Sequence, residues 1–224
     1  MQSIHRRGFL GTLGAAAATL GISTLTSPVS FSAKPKGMPS PSDDVAFEAW
    51  LDRIKGKHRQ VFDAPEPNGG MPFAWSRVFY MTNNAVGTPD SDLTAVIILR
   101  HDAIPLALDH PLWGKYKLGE VFKITDKATN APAVRNPFYQ PKPNELLLPD
   151  MSIEELVKSG VMLGACDMAL TVYSGIVAKD INADAAEVKK DWVAGVLPGI
   201  QIVPSGVLAV NRAQEHGCTY CFAG

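Results

Sequence analysis

Leu93-Thr94-Ala95-Val96-Ile97-Ile98-Leu99 is a nearly continuous apolar run without a charge. Such a run is expected of a central parallel strand, covered by helices on both faces. Strand-like and helix-like segments alternate around it. His58-Arg59-Gln60-Val61-Phe62-Asp63 reads as a short first strand, followed by a helix from 73 to about 81. Residues 105–116 read as the helix after the second strand. Ser152-Ile153-Glu154-Glu155 fits a capping box, in which the Ser hydroxyl and the Glu carboxylate satisfy orphan amides reciprocally. A buried strand at 160–165 leads into a helix from Asp167. Asp184-Ala185-Ala186-Glu187 begins another helix, which stops near Pro198-Gly199. A strand at 200–203 precedes an amphipathic helix at 205–216, closed by Gly217, and 218–222 forms the last strand. This βαβα rhythm implies an α/β fold of three layers, α/β/α, around a mostly parallel five-stranded sheet.

Two stretches stand outside the rhythm. Residues 34–44 are rich in Pro and Ser and read as a linker. Phe47, Trp50, Leu51 and Ile54 then recur at i, i+3, i+4 and i+7, one apolar stripe of a helix packed on the domain's flank. The chain thus divides into a leader at 1–32, a linker and flanking helix at 33–56, and the α/β domain at 57–224. Residues 119–150 hold five prolines (Pro132, Pro137, Pro141, Pro143 and Pro149) and a hairpin expected around 126–130. A segment of that length is a lid, a partner surface or decoration.

The leader begins His5-Arg6-Arg7-Gly8-Phe9-Leu10 and continues uncharged, through Gly, Ala and Thr, to about Leu25. A charged start, a weakly apolar middle and the small-residue stretch Ser30-Phe31-Ser32-Ala33 make a signal peptide. The paired Arg followed by Phe-Leu resembles the twin-arginine pattern, which carries folded proteins out of the cytoplasm. The expected destination is the periplasm or the exterior, with no stable membrane anchor once the leader is removed. The stretch is about long enough to span a bilayer but poor in Leu, Ile and Phe. Taking Arg6 and Arg7 away with the leader leaves 19 basic against 22 acidic residues. There is no basic block, so nothing advertises nucleic-acid binding.

In open α/β sheets ligands bind beyond the carboxyl ends of the strands. That rule picks out Arg100, His101 and Asp102 after the second strand, Cys166 and Asp167 after the third, and Pro204, Ser205 and Gly206 after the fourth. Each turn opens a helix whose free amides favour an anion. Cys166, a thiol at a helix start, is expected to have a depressed pKa and to be nucleophilic; the bland reading is a small buried Cys filling space. Asp167 opposes that depression if its carboxylate turns toward the sulfur. His101 is a general base or a ligand-orienting donor, or else an imidazole capping the next helix. Arg100 binds an anion or sits in solvent. Ser205 precedes its helix in the N-cap position, which favours a cap over a nucleophile.

Cys218-Thr219-Tyr220-Cys221 is a CxxC, but on a strand its two Cα atoms lie about 10 Å apart, beyond disulfide reach. Packing on opposite faces of an edge strand is the expectation, with a bond from one of them to Cys166 as the oxidising-compartment alternative. A zinc site from His216, Cys218, Cys221 and Cys166 has no second CxxC or His pair behind it. No GxGxxG, Walker, HExxH or GxSxG pattern occurs, so no cofactor and no metal are expected.

Leu197-Pro198-Gly199-Ile200-Gln201-Ile202-Val203-Pro204-Ser205-Gly206-Val207, then Ala213-Gln214-Glu215-His216-Gly217-Cys218-Thr219-Tyr220, resembles the C-terminal half of the DsrE/DsrF-like proteins. Gly160-Val161-Met162-Leu163-Gly164-Ala165-Cys166 resembles the same family's strand ending in Cys. The stretch 58–220 can be laid along the family pattern, with 119–150 outside it. The resemblance implies the three-layer fold, a homo-oligomer (trimer or hexamer), and a sulfur-relay role in which Cys166 carries a persulfide between a donor and an acceptor protein. The alternative is a non-catalytic module that binds a small anion or a partner.

Overall fold

The apolar runs become the strands of one sheet. The computed structural model describes residues 41–224; the expectations for the leader and most of the linker lie outside those residues. Strands β1 (His58–Ala64), β2 (Leu93–Leu99), β3 (Met162–Cys166), β4 (Ile200–Val203) and β5 (Thr219–Phe222) lie in the order β4-β3-β2-β1-β5. Every pairing is parallel, so the sheet is wholly rather than mostly parallel. All seven residues of β2 are buried, as the absence of a polar face in the sequence requires.

Eight α-helices are described: α1 (Pro41–Leu51), α2 (Met71–Ala85), α3 (His110–Lys115), α4 (Leu118–Val121), α5 (Ile153–Lys158), α6 (Asp167–Asp180), α7 (Ala185–Ala194) and α8 (Gly206–Glu215). Side chains alternate across each strand, and the core separates accordingly. Val96 and Ile98 of β2 join Trp50 and Leu51 of α1 and Ala209 and Ala213 of α8 on one face. Ala95, Ile97 and Leu99 join Phe73 of α2, Leu156 of α5, Leu170 of α6 and Trp192 of α7 on the other. The three-layer α/β/α arrangement follows. Gly164 lets the first of these layers pack closely: a Cβ there would stand 3.0 Å from Ile98, 3.2 Å from Val203 and 3.3 Å from Trp50, so a side chain would push each of them back by a few tenths of an ångström.

Local differences from expectation have local causes. The linker is shorter than read, because α1 already begins at Pro41, whose fixed φ suits a first helical turn. The helix expected at 105–116 is a 3₁₀ segment, His101–Ala107, followed by the short α3. Pro105 and Pro111 each lack an amide for a continuous ladder, and Asp109 donates its N–H to Gly195 instead. The hairpin expected around 126–130 reduces to a single antiparallel bridge, Thr125 with Pro132. Asp126 Oδ1 closes the turn by accepting from the Ala128 and Thr129 amides, and Pro132 stops further pairing. Ser152 caps α5 through the Glu155 amide at 3.4 Å. Glu155 itself reaches Lys158, so only the Ser half of the box is formed.

The Pro-rich segment is fastened to the domain rather than laid over it. Asn136 is fully buried, and its Nδ2 donates to the Leu106 and Leu108 carbonyls at 2.8 and 2.9 Å. Its Oδ1 accepts from the Phe138 amide at 3.0 Å. The Phe138 ring packs 5.5 Å from Phe73.

Candidate functional site

The topology leaves one switch point at the C-terminal edge of the sheet. From β3 the chain turns into α6 on one face, and from β4 into α8 on the other, so two helix N-termini diverge across neighbouring strands. Open α/β sheets hold ligands at such points. Cys166, the last residue of β3, stands there. Its Sγ accepts from the Ala169 amide at 3.3 Å as the N-cap of α6, and the Met168 and Gly206 amides add a pull toward the charged form. Amides from two helix starts therefore converge on one sulfur, a setting that favours negative charge.

Burial opposes them and prevails. Cys166 is 5% exposed, and burial pushes its thiol above the ordinary value although the Gly206, Ala169 and Met168 amides pull the other way. The expectation of a depressed pKa is thereby corrected. A thiolate loses more on leaving water here than three amides return.

The neighbours of the sulfur are engaged elsewhere. Arg100 makes a two-pronged ion pair with Asp63, Nε to Oδ1 at 2.6 Å and Nη2 to Oδ2 at 2.9 Å. Tyr220 donates to the same Oδ2 at 2.9 Å, so buried Asp63 ties together the ends of β1, β2 and β5. That hydrogen bond with Asp63 raises the Arg100 pKa further. The stem of Arg100 lies against Gly206, where a Cβ would fall 2.6 Å from Arg100 Cβ. Asp167 turns to Lys189 of α7, 3.0 Å from its Nζ. Ser205 is the N-cap of α8, accepting from the Leu208 amide at 3.1 Å.

His101 has a left-handed backbone, φ 51°, and its Nδ1 stands 3.3 Å from Asp102 Oδ1. Its ring meets Tyr173 of α6 edge-on with centroids 5.7 Å apart. Tyr173 donates its hydroxyl to the same Asp102 oxygen. Burial pushes the Asp102 carboxyl up, but the hydrogen bonds from His101 and Tyr173 outweigh it and hold the group below its ordinary range. Burial and the bond to Asp102 push the Tyr173 phenol far up. Arg100, His101, Cys166 and Ser205 thus share one sheet edge, where Arg100 is paired with Asp63 and His101 stands beside Asp102 and Tyr173.

Asp102 also belongs to a cleft that the strand-end rule did not identify. A cavity of about 500 Å³ opens between the loop after β1 and the Pro-rich segment. Phe122, Ile124, Phe138 and Leu146 supply its apolar wall. The signal for it in the sequence was the length and proline content of 119–150; which residues face inward depends on tertiary folding. Asp63, Tyr220 and Tyr173 were also missed as partners. Asp63 at the end of a buried strand was the visible hint, since a carboxylate there needs a counter-charge.

Cys218 packs against the α1 and α8 side of the sheet, and Cys221 against the opposite core. Burial pushes the Cys218 thiol up to about 11. All three cysteines are free. Three strand spacings, roughly 14 Å, separate β3 from β5, too far for a bond to Cys166. Among the described residues, no group of three His, Cys, Asp or Glu could hold a metal ion, and no helix is long and apolar enough to cross a membrane. No protein-family model matches the chain, and no curated protein matches it.

Proposed function

We propose that this protein is an exported sulfur carrier of the DsrE/DsrF-like kind, taking up and passing on sulfane sulfur at Cys166. The observation that carries the reading is the place of Cys166 at the β3–β4 switch point, between the starts of α6 and α8, with its Sγ accepting the Ala169 amide. Two helix starts beside one sulfur favour a thiolate or persulfide anion there. In the loading step the Cys166 thiolate attacks a terminal sulfane sulfur of a polysulfide. A new S–S bond forms, the donor's S–S bond breaks, and the shortened polysulfide leaves with the electron pair. Handing on reverses the exchange toward an acceptor thiolate. The anion-binding alternative lacks comparable support, because the Asp63 carboxylate neutralises Arg100 and holds its Nε and Nη2.

The reading includes a homo-oligomer, a trimer or hexamer, and a periplasmic setting reached through the Arg6-Arg7 leader. An exposed apolar stripe of Trp75, Val78 and Met81 on α2 supports the first. The test is intact-mass measurement after polysulfide exposure. One added sulfur per chain is expected, removed by reductant and lost in Cys166→Ser. Because burial raises the thiol's pKa, the thiolate fraction and the loading rate climb about tenfold from pH 7 to 8 and keep rising above it. Equal loading of Cys166→Ser, or a rate that levels off below pH 8, sinks the reading.

A further inference from the structure

The cleft between the loop after β1 and the Pro-rich segment has a chemistry of its own, independent of Cys166. At about 500 Å³ it has the size of a small-molecule site, and its wall is the apolar set Phe122, Ile124, Phe138 and Leu146. Four carboxylates line it, Glu66, Asp102, Asp126 and Glu145, against two ammonium groups, Lys123 and Lys127. Two of the carboxylates are committed to the segment's own architecture. Glu145 binds the Arg135 guanidinium and the Lys142 amide, and Asp126 closes its turn. The other two remain. Glu66 makes no hydrogen bond or ion pair within the described residues, and the bonds from Tyr173 and His101 to Asp102 both fall on Oδ1, leaving Oδ2 for a ligand.

We infer that this cleft binds a small organic cation, an ammonium or guanidinium group on an apolar body, with the charge between Asp102 and Glu66 and the body against Phe122 and Phe138. An aromatic wall accepts both an apolar body and the flank of a cation. An anion of the same shape meets a lining of four carboxylates against two ammonium groups, one of which, Lys123, already acts on Asp102, and is disfavoured.

A matched set of probes reads the charge directly. Isothermal titration of the full chain at neutral pH and low salt compares tryptamine, tryptophol and indole-3-acetate, which share one ring and differ in charge. Tryptamine should bind about tenfold or more tighter than tryptophol, as expected for a bond to a charged group, and indole-3-acetate should give no heat. Asp102→Asn should weaken tryptamine about tenfold and leave tryptophol unchanged. Glu66→Gln, at an exposed position where folding is not at stake, should weaken it severalfold. Cys166→Ser should bind like the parent, so the outcome is separate from that of the sulfur experiment. Equal affinities across the three probes, unchanged tryptamine binding in both carboxylate variants, or no heat from tryptamine at millimolar concentration overturns the inference.

Discussion

Gly206 shows how one hydrogen atom can hold a site together. Its Cα rests on the stem of Arg100, and its amide points at Cys166 Sγ. Gly206→Ala sets two effects against each other. Alanine is the better helix residue by about 1 kcal/mol. Its Cβ, however, would meet Arg100 Cβ at 2.6 Å and Cδ at 2.7 Å, and Arg100 is pinned at its far end by Asp63. The clash wins, since Arg100 Cβ is close to the backbone and not a flexible tip. We expect a net loss of about 1–3 kcal/mol in a urea melt, together with faster alkylation of Cys166 as the cradle opens. An unchanged midpoint and alkylation rate would refute the geometry. The sequence placed Gly206, Cys166 and Ser205 at strand ends, but the sign of the Cys166 pKa shift depends on how much water is removed, which no spacing reveals.

At the scale of elements, the Pro-rich segment carries the consequences. Asn136 makes three buried hydrogen bonds: two fasten the segment to the Leu106 and Leu108 carbonyls after β2, and the third, from the Phe138 amide, shapes the segment itself. Asn136→Ala strands the Leu106 and Leu108 carbonyls and the Phe138 amide. The expected cost is about 2–4 kcal/mol, with faster amide exchange over residues 133–146. Tryptamine binding should fall with it, because Phe138 leaves the wall of the cleft. Protection unchanged in that stretch would mean the segment is held by Phe138 packing alone. The same element explains the shortened helix. Between Pro105 and Pro111 the backbone groups find partners in Asn136 and Gly195, distant in sequence, so the break depends on contacts that periodicity cannot see.

At the scale of the whole molecule, export and assembly are one experiment. Fractionation of a twin-arginine-competent bacterium expressing the full chain should yield the protein in the periplasm, with a light-scattering mass of three or six chains. Arg6→Lys with Arg7→Lys should hold it in the cytoplasm; a monomer, or an unsubstituted chain that stays inside, contradicts the reading. The sequence alone determined the layer plan. A run such as Leu93–Leu99 has no polar face to offer water, so it had to lie at the centre of a sheet covered on both sides, and the stretches around it had to supply the covers. Strand direction followed from the helical crossovers, and the strand-end rule put Arg100, His101, Cys166 and Ser205 on one edge. Tertiary structure alone decided what those residues do. Asp63, Tyr220, Tyr173 and Lys189 come from distant parts of the chain to claim Arg100, Asp102 and Asp167. Charge pairing and desolvation are set by distance and burial in space, and neither is a property of neighbours in sequence.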